Sequence, residues 1–163
     1  MRLVTRFLVA ALFSTVLPLG VDTLAAGASS VAKCSGPVAT LSATSVDATY
    51  EPGSMVRVIV ALRNRGSSAC SFVTGPTSPN FLLTNAAGTT VWGSCWFGGG
   101  PAPCPFYLLQ RVLAPGATYR DVLTWDQRSG HPDVRVRAGR YRFSVSLTGL
   151  SLRAATSFAL ATS

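Results

Sequence analysis

Charge is scarce in this chain, and acid is scarcest of all. Asp and Glu number 6 in 163 residues, charged residues make up 12%, and His131 is the one histidine. Ordinary domains carry about a quarter charged residues. With 48% apolar content, the composition excludes a disordered chain, which needs low hydrophobicity and high net charge. A lone imidazole leaves a Ser-His or Cys-His couple a single candidate base, and it sits in Ser129-Gly130-His131-Pro132-Asp133, a turn sequence. No G-x-S-x-G motif accompanies it, so His131 reads as a solvated loop residue. Paired carboxylates beyond residue 28 could come only from Asp47, Glu51, Asp121, Asp126 and Asp133, mostly near turns. Asp126, after Trp125, is expected to cap a turn by accepting backbone N–H groups. Phosphate-loop, dinucleotide and calcium-loop motifs are missing. The expectation is a protein that is not an enzyme and takes no cofactor.

A second long apolar run is also lacking. The first, Phe7 to Val21, follows Arg2 and Arg6 and is broken by Pro18. It is shorter than the roughly 20 residues of a membrane span, and small residues follow it. Residues 1–28 therefore read as a cleavable secretory signal ending at Ala26-Gly27-Ala28, with Ser30-Val31-Ala32 as the other site. Lys33 before Cys34 argues against lipidation. Residues 29–163 are then one exported domain, secreted or associated with the cell envelope, monomeric and without stable membrane insertion. Losing Arg2, Arg6 and Asp22 leaves twelve basic against five acidic residues, a net +7 in place of +8.

Four cysteines, an even number in an oxidising compartment, read as two disulfides. Cys95 and Cys104 flank a Gly/Pro loop and pair readily, which leaves Cys34 with Cys70. Zinc is a poor alternative, because the spacings are not C-x2-C and His131 is remote from the cysteines.

No amphipathic helical pattern is sustained after residue 30, while period-two runs recur between Gly, Pro, Asn and Ser clusters. Tyr141, Phe143, Val145 and Leu147 alternate with Arg140, Arg142, Ser144 and Ser146, as a half-buried antiparallel strand does. Val56, Val58, Val60 and Leu62 define a second strand, and Tyr119, Leu123 and Trp125 a third, in which Asp121 suggests a bulge near Arg120-Asp121. Weaker runs cover 38–46, 80–84, 89–92, 106–113 and 152–160. Glu51-Pro52-Gly53, Ala114-Pro115-Gly116 and Arg137-Ala138-Gly139 each read as a glycine turn before a strong strand. The fold class is all-β, an immunoglobulin-like antiparallel β-sandwich of seven or eight strands with two disulfides. A small barrel is the alternative. Trp92 and Trp125 are expected in its core.

Four motifs occur in one order: Asn85-Ala86-Ala87-Gly88-Thr89-Thr90-Val91-Trp92-Gly93-Ser94, Leu113-Ala114-Pro115-Gly116, Trp125-Asp126 and Gly139-Arg140-Tyr141. Over about residues 50–148 this set resembles the bacterial intracellular proteinase inhibitor (BsuPI) domain, here in a secreted form. The resemblance implies an immunoglobulin-like sandwich and a proteinase-inhibiting role. The chain departs from the family in its signal sequence, its cysteines and the insert between Cys95 and Cys104. Asn64-Arg65-Gly66 ahead of Cys70 also resembles small secreted bacterial domains of unknown function.

Two binding surfaces stand out. Trp96 and Phe97 lie in the cystine-tied loop, and a bridge that pre-orders such a loop lowers the entropy lost on docking to an extracellular protein, a protease among them. The competing arrangement folds both rings back over the end of the sandwich. Arg135, Arg137, Arg140 and Arg142 form a basic cluster suited to an anionic cell-wall polymer, against the simpler reading of a solvated, solubilising face. Thirteen arginines against one lysine also fit a bias of genome base composition. Nucleic acid is not an expected partner, since no aromatic-basic strand motif occurs.

Overall fold

The computed structural model describes residues 31–97, 100–101, 103–105, 107–129 and 134–162. Of Trp96, Phe97, Gly100 and Pro101 it describes the backbone alone. Residues 1–28, read above as a signal sequence, and His131 and Asp133 lie outside the described residues.

Among the described residues the chain forms twelve strands and no helix. They are β1 (Ala39–Ser45), β2 (Thr49–Tyr50), β3 (Val56–Asn64), β4 (Cys70–Thr74), β5 (Asn80–Asn85) and β6 (Thr90–Gly93). There follow β7 (Trp96–Phe97), β8 (Gly100–Pro101), β9 (Leu109–Leu113), β10 (Thr118–Trp125), β11 (Gly139–Ser146) and β12 (Arg153–Leu160). Every run expected from alternation coincides with a strand; β4 and the two-residue strands β2, β7 and β8 are additional.

One layer is the antiparallel sheet β1-β3-β10 and the other is β2-β12-β11-β5-β6, in which β2 joins β12 in parallel. A third pair, β4-β9, runs on from the first layer, because Cys70 opposes Leu113 just beyond the point where Asn64 N–H donates to Ala117 O at 3.0 Å. Period-two alternation decides which residues meet between the layers. Val56, Val58 and Val60 of β3 face Phe81, Leu83, Tyr141, Phe143, Val145 and Phe158 of the second sheet, with Trp125 among them. Each such large apolar side chain contributes about 1.5–3 kcal/mol on burial. A smaller cluster of Cys34, Ala39, Leu62, Cys70, Phe72, Leu113 and Leu147 fills the end beside β4 and β9.

Trp125 is buried and stacks on half-buried Trp92 at 6.2 Å, so these indoles are core rather than a ligand platform. The bulge expected near Arg120-Asp121 does not form: β10 keeps register with β3 from Thr118↔Arg63 to Trp125↔Val56 without a shift. Asp121 instead takes an inward, half-buried position opposite Val60 on an edge strand. An inward-pointing charge of this kind discourages another strand from pairing with the edge. Both proline turns form as expected, Ser54 N–H donating to Glu51 O and Ala117 N–H to Ala114 O, each at 3.1 Å. Gly53 and Gly116 have φ of 81° and 72°, a region that favours glycine. At Gly139, φ is 146°, so this third turn is of another kind. It is fixed by the Tyr141 hydroxyl, which donates to Arg137 O at 2.6 Å.

Candidate functional site

Both cysteine pairs are bridged as the spacing suggested, Cys34 to Cys70 and Cys95 to Cys104, with Cα separations of 4.9 and 5.2 Å. They occupy different surroundings. Cys34 and Cys70 are buried in the smaller cluster, and Cys34 N–H donates to Ser71 O at 2.9 Å, so this bridge pins the segment before β1 onto β4. The Cys95–Cys104 bridge closes a small ribbon instead. Among the described residues β7 pairs with β8, Trp96 opposite Pro101 and Phe97 opposite Gly100, and with no strand of either layer, while the Cys95 and Cys104 sulfurs lie 3.7 and 3.9 Å from Pro76 O, ahead of β5. Its root is the end of β6, where Ser94 Oγ accepts Phe81 N–H at 2.7 Å and donates to Pro79 O at 3.2 Å. Cys95 follows with φ of 63°, a left-handed conformation that turns the chain out of the β5-β6 hairpin. The Trp96 and Phe97 side chains lie outside the described residues.

The arginines are divided between two places. Arg140 and Arg142 project from the outer face of β11, because Tyr141 and Phe143 occupy the inner one. Arg153 joins them there, since β12 pairs it with Ser146, a residue on the same face as Arg142. Arg135 instead lies over the 51–54 turn, where a Cβ on Gly53 would come within 2.9 Å of its guanidinium. Arg137 is exposed and contributes its carbonyl to Tyr141.

Two shallow depressions lie on the outer face of the five-stranded sheet, and Arg142 borders both. The first, about 470 Å³, is lined by Arg142 and Arg153 with Asn80, Leu82, Ser144 and Ser146. The second, about 450 Å³, is lined by Arg140 and Arg142 with Thr84, Asn85 and Ser157. No Asp or Glu borders either. The floor is low because Ser144, Ala155 and Ser157 are small. The sequence sets Arg128 and Arg153 only near the cluster along the chain and does not single out these small residues; strand register sets Arg153 beside β11.

Two residues that alternation did not single out hold the frame behind these surfaces. Gln127, with φ of 63° and 1% exposure, accepts Gly53 N–H at 3.0 Å and donates to Glu51 O and Ser54 O at 2.7 and 2.8 Å. Asn64, fully buried, donates to Ser68 O and Leu113 O, each at 2.9 Å, and accepts Gly66 N–H at 2.9 Å. Asp126 is exposed and accepts Arg128 N–H at 3.2 Å, the expected capping role. Among the described residues, no three of His, Cys, Asp and Glu gather where they could hold a metal ion, and no cysteine is free.

No family model matches the chain, and no curated protein does. Among solved structures it is similar to a β-glucosidase from Erythrobacter marinus, at 15% identity and a TM-score of 0.48, covering 76% of this chain and 15% of that one. It is similar also to the CARDB domain of the PF1109 protein from Pyrococcus furiosus, at 10% identity and a TM-score of 0.43, covering 75% and 91% of the two chains. A third is the alkylpurine DNA glycosylase AlkC of Pseudomonas fluorescens, at 15% identity and a TM-score of 0.44, covering 77% and 30%. The chain thus spans a small part of the enzymes in this group.

Proposed function

We propose that this protein is a secreted, non-catalytic binding module, similar to a proteinase inhibitor domain, that presents the Cys95–Cys104 ribbon to an extracellular protein partner. The observation behind this reading is that the ribbon is paired within itself, closed by a disulfide and strand-paired with neither layer of the sandwich. A segment constrained in this way loses little conformational entropy when it enters a partner's cleft. Trp96 and Phe97 supply the kind of aromatic anchors that dominate protein interfaces. The resemblance to the BsuPI domain bears on the scaffold more than on the ribbon. Its motif residues Asn85, Ser94, Trp125 and Tyr141 all serve the fold: Asn85 Oδ1 accepts Thr89 N–H at 2.9 Å to close the β5-β6 turn, and the other three roles are described above.

The test is a panel of extracellular proteases titrated with the purified domain, beside a variant carrying Trp96→Ala and Phe97→Ala. Stoichiometric inhibition by the parent, lost by at least tenfold in the variant at unchanged melting temperature, supports the reading. A sharp drop in melting temperature with unaltered inhibition would assign the two rings to the end of the sandwich instead. A second reading, an envelope module that contacts anionic polymers, is favoured by the acid-free face bearing Arg140, Arg142 and Arg153. Salt-sensitive retention on cell walls without protease inhibition would select it.

A further inference from the structure

The outer face of the five-stranded sheet is organised as a line. Arg140 and Arg142 are two residues apart on one strand, which spaces their Cα atoms by about 6.8 Å. Arg153 pairs with Ser146, four residues beyond Arg142 and one strand over. That places it about 14 Å from Arg142, roughly two further steps of the same length. Between these positions the floor is Ser144 and Ser146, and beside them run Ala155 and Ser157, all small and uncharged. The two depressions flank Arg142, so together they make a shallow trough along this face with Arg142 at its middle.

Resting on the second reading above, we propose that this trough is a track for a thin, extended phosphodiester polymer without rings or bases, lying along β11 with successive phosphates against Arg140, Arg142 and, two units on, Arg153. Three properties select that chemistry. First, each guanidinium fork can give two parallel N–H bonds to a phosphate, and no carboxylate borders the trough to compete for it. Second, the spacing of the arginines is comparable to the charge repeat of an extended phosphodiester chain. Third, the aromatic side chains of this sheet, Tyr50, Phe81, Trp92, Tyr141, Phe143 and Phe158, belong to the core between the layers. Stacking platforms for nucleobases are therefore missing from the track. The serine and threonine hydroxyls with Asn80 suit the free hydroxyls of a polyol linking the phosphates.

Binding of poly(glycerol phosphate) to the folded domain, measured by calorimetry across a salt series, tests this. Free glycerol 3-phosphate, oligo(dT) and polygalacturonate serve as comparison ligands. The polymer is expected to bind with a log–log salt slope near −2, from about 0.7 per neutralised phosphate. Arg142→Gln should weaken it about tenfold or more, the triple change at Arg140, Arg142 and Arg153 should abolish it, and Arg135→Gln, over the 51–54 turn, should leave it unchanged. The monomer should not compete. Binding that survives the triple change would overturn the track while leaving an anionic-polymer role standing. Equal affinity for oligo(dT) or polygalacturonate would overturn the ring-free specificity. Failure of every polyanion to bind would remove the track and the reading beneath it together. These arginines are exposed, so unaltered melting of the variants would establish that binding alone is read.

Discussion

Asn64 illustrates how a single side chain can take over the hydrogen bonding of a chain reversal. Where β3 ends, its amide supplies two donors to the carbonyls of Ser68 and Leu113 and one acceptor to Gly66, in a site without solvent access. An unpaired buried polar group costs about 1–3 kcal/mol. Asn64→Ala removes the donor to two carbonyls and leaves Gly66 N–H only its bond to Val38 O, so it should lower stability by about 2 kcal/mol or more in urea unfolding, whereas Asn64→Asp keeps only the acceptor and should be comparably harmful. A second residue sets behaviour at high pH. Burial raises the Tyr141 phenol above its ordinary value of 10.0. Tyr119 is raised too, by burial first and by Asp121 next, with Arg111 opposing. A raised folded-state value means that the unfolded chain ionises first. The contribution to stability is whole below about pH 10 and is lost as the pH rises through the folded value. Tyr141→Phe has no proton to lose there, so its stability should fall less steeply above pH 10 than the parent's. At neutral pH it should be about 1 kcal/mol less stable, for want of the bond to Arg137 O. Unfolding curves at pH 7, 9 and 11 check both statements.

The two disulfides are elements of different standing although sequence presents them alike. In the loop-entropy picture, bridges spanning 36 and 9 residues contribute about 4 and 3 kcal/mol respectively. The surroundings widen that gap. Cys34 and Cys70 lie in the smaller core cluster, while Cys95 and Cys104 close a ribbon that neither layer pairs with. Replacing Cys95 and Cys104 by Ala should leave thermal unfolding of the sandwich close to the parent's. The same change at Cys34 and Cys70 should lower the melting temperature by more than ten degrees, as differential scanning calorimetry would record. Alternation made the long strands legible, because β3, β10, β11 and β12 each alternate between more and less exposed residues. It failed at β4, where Cys70, Ser71 and Phe72 are consecutively buried. That strand is covered on more than one side, by β9 and by the segment at Lys33, so it has no polar face to mark it. The pattern at Asp121 was also misread: an acid among apolar positions signalled an edge strand, not a bulge. For the binding surfaces, residue types pointed to the arginines, but only register separated Arg140 and Arg142 from Arg135 and brought in Arg153.

Across the whole molecule, the core is two clusters joined by strands that run through both, since Val145 of β11 lies in the larger and Leu147, next on that face, in the smaller. Val56, Val58 and Val60 belong to the larger, and Leu62, next on the same face, to the smaller, with Leu41 packed against both. β3 thus runs through both clusters and is central in its sheet. Opening one cluster alone would have to break β3 pairings with β1 and β10, so the sandwich should unfold as a unit. Far-ultraviolet dichroism and the near-ultraviolet signal of the Trp92–Trp125 stack should give coincident transitions. The Cys34–Cys70 bridge is the one covalent link within the smaller cluster, and it ties the leading segment to β4. Replacing both cysteines by Ala removes that tie without touching the larger cluster. Amide exchange in the variant should then accelerate at Cys70–Thr74 and Leu109–Leu113 by at least a hundredfold relative to Gly139–Ser146, because β4 and β9 pair with each other and with the leading segment but with no strand of either layer. Uniform acceleration in all three segments would mean instead that the clusters open together even without the bridge, the coupling being carried by β3 and by the β11 face from Val145 to Leu147.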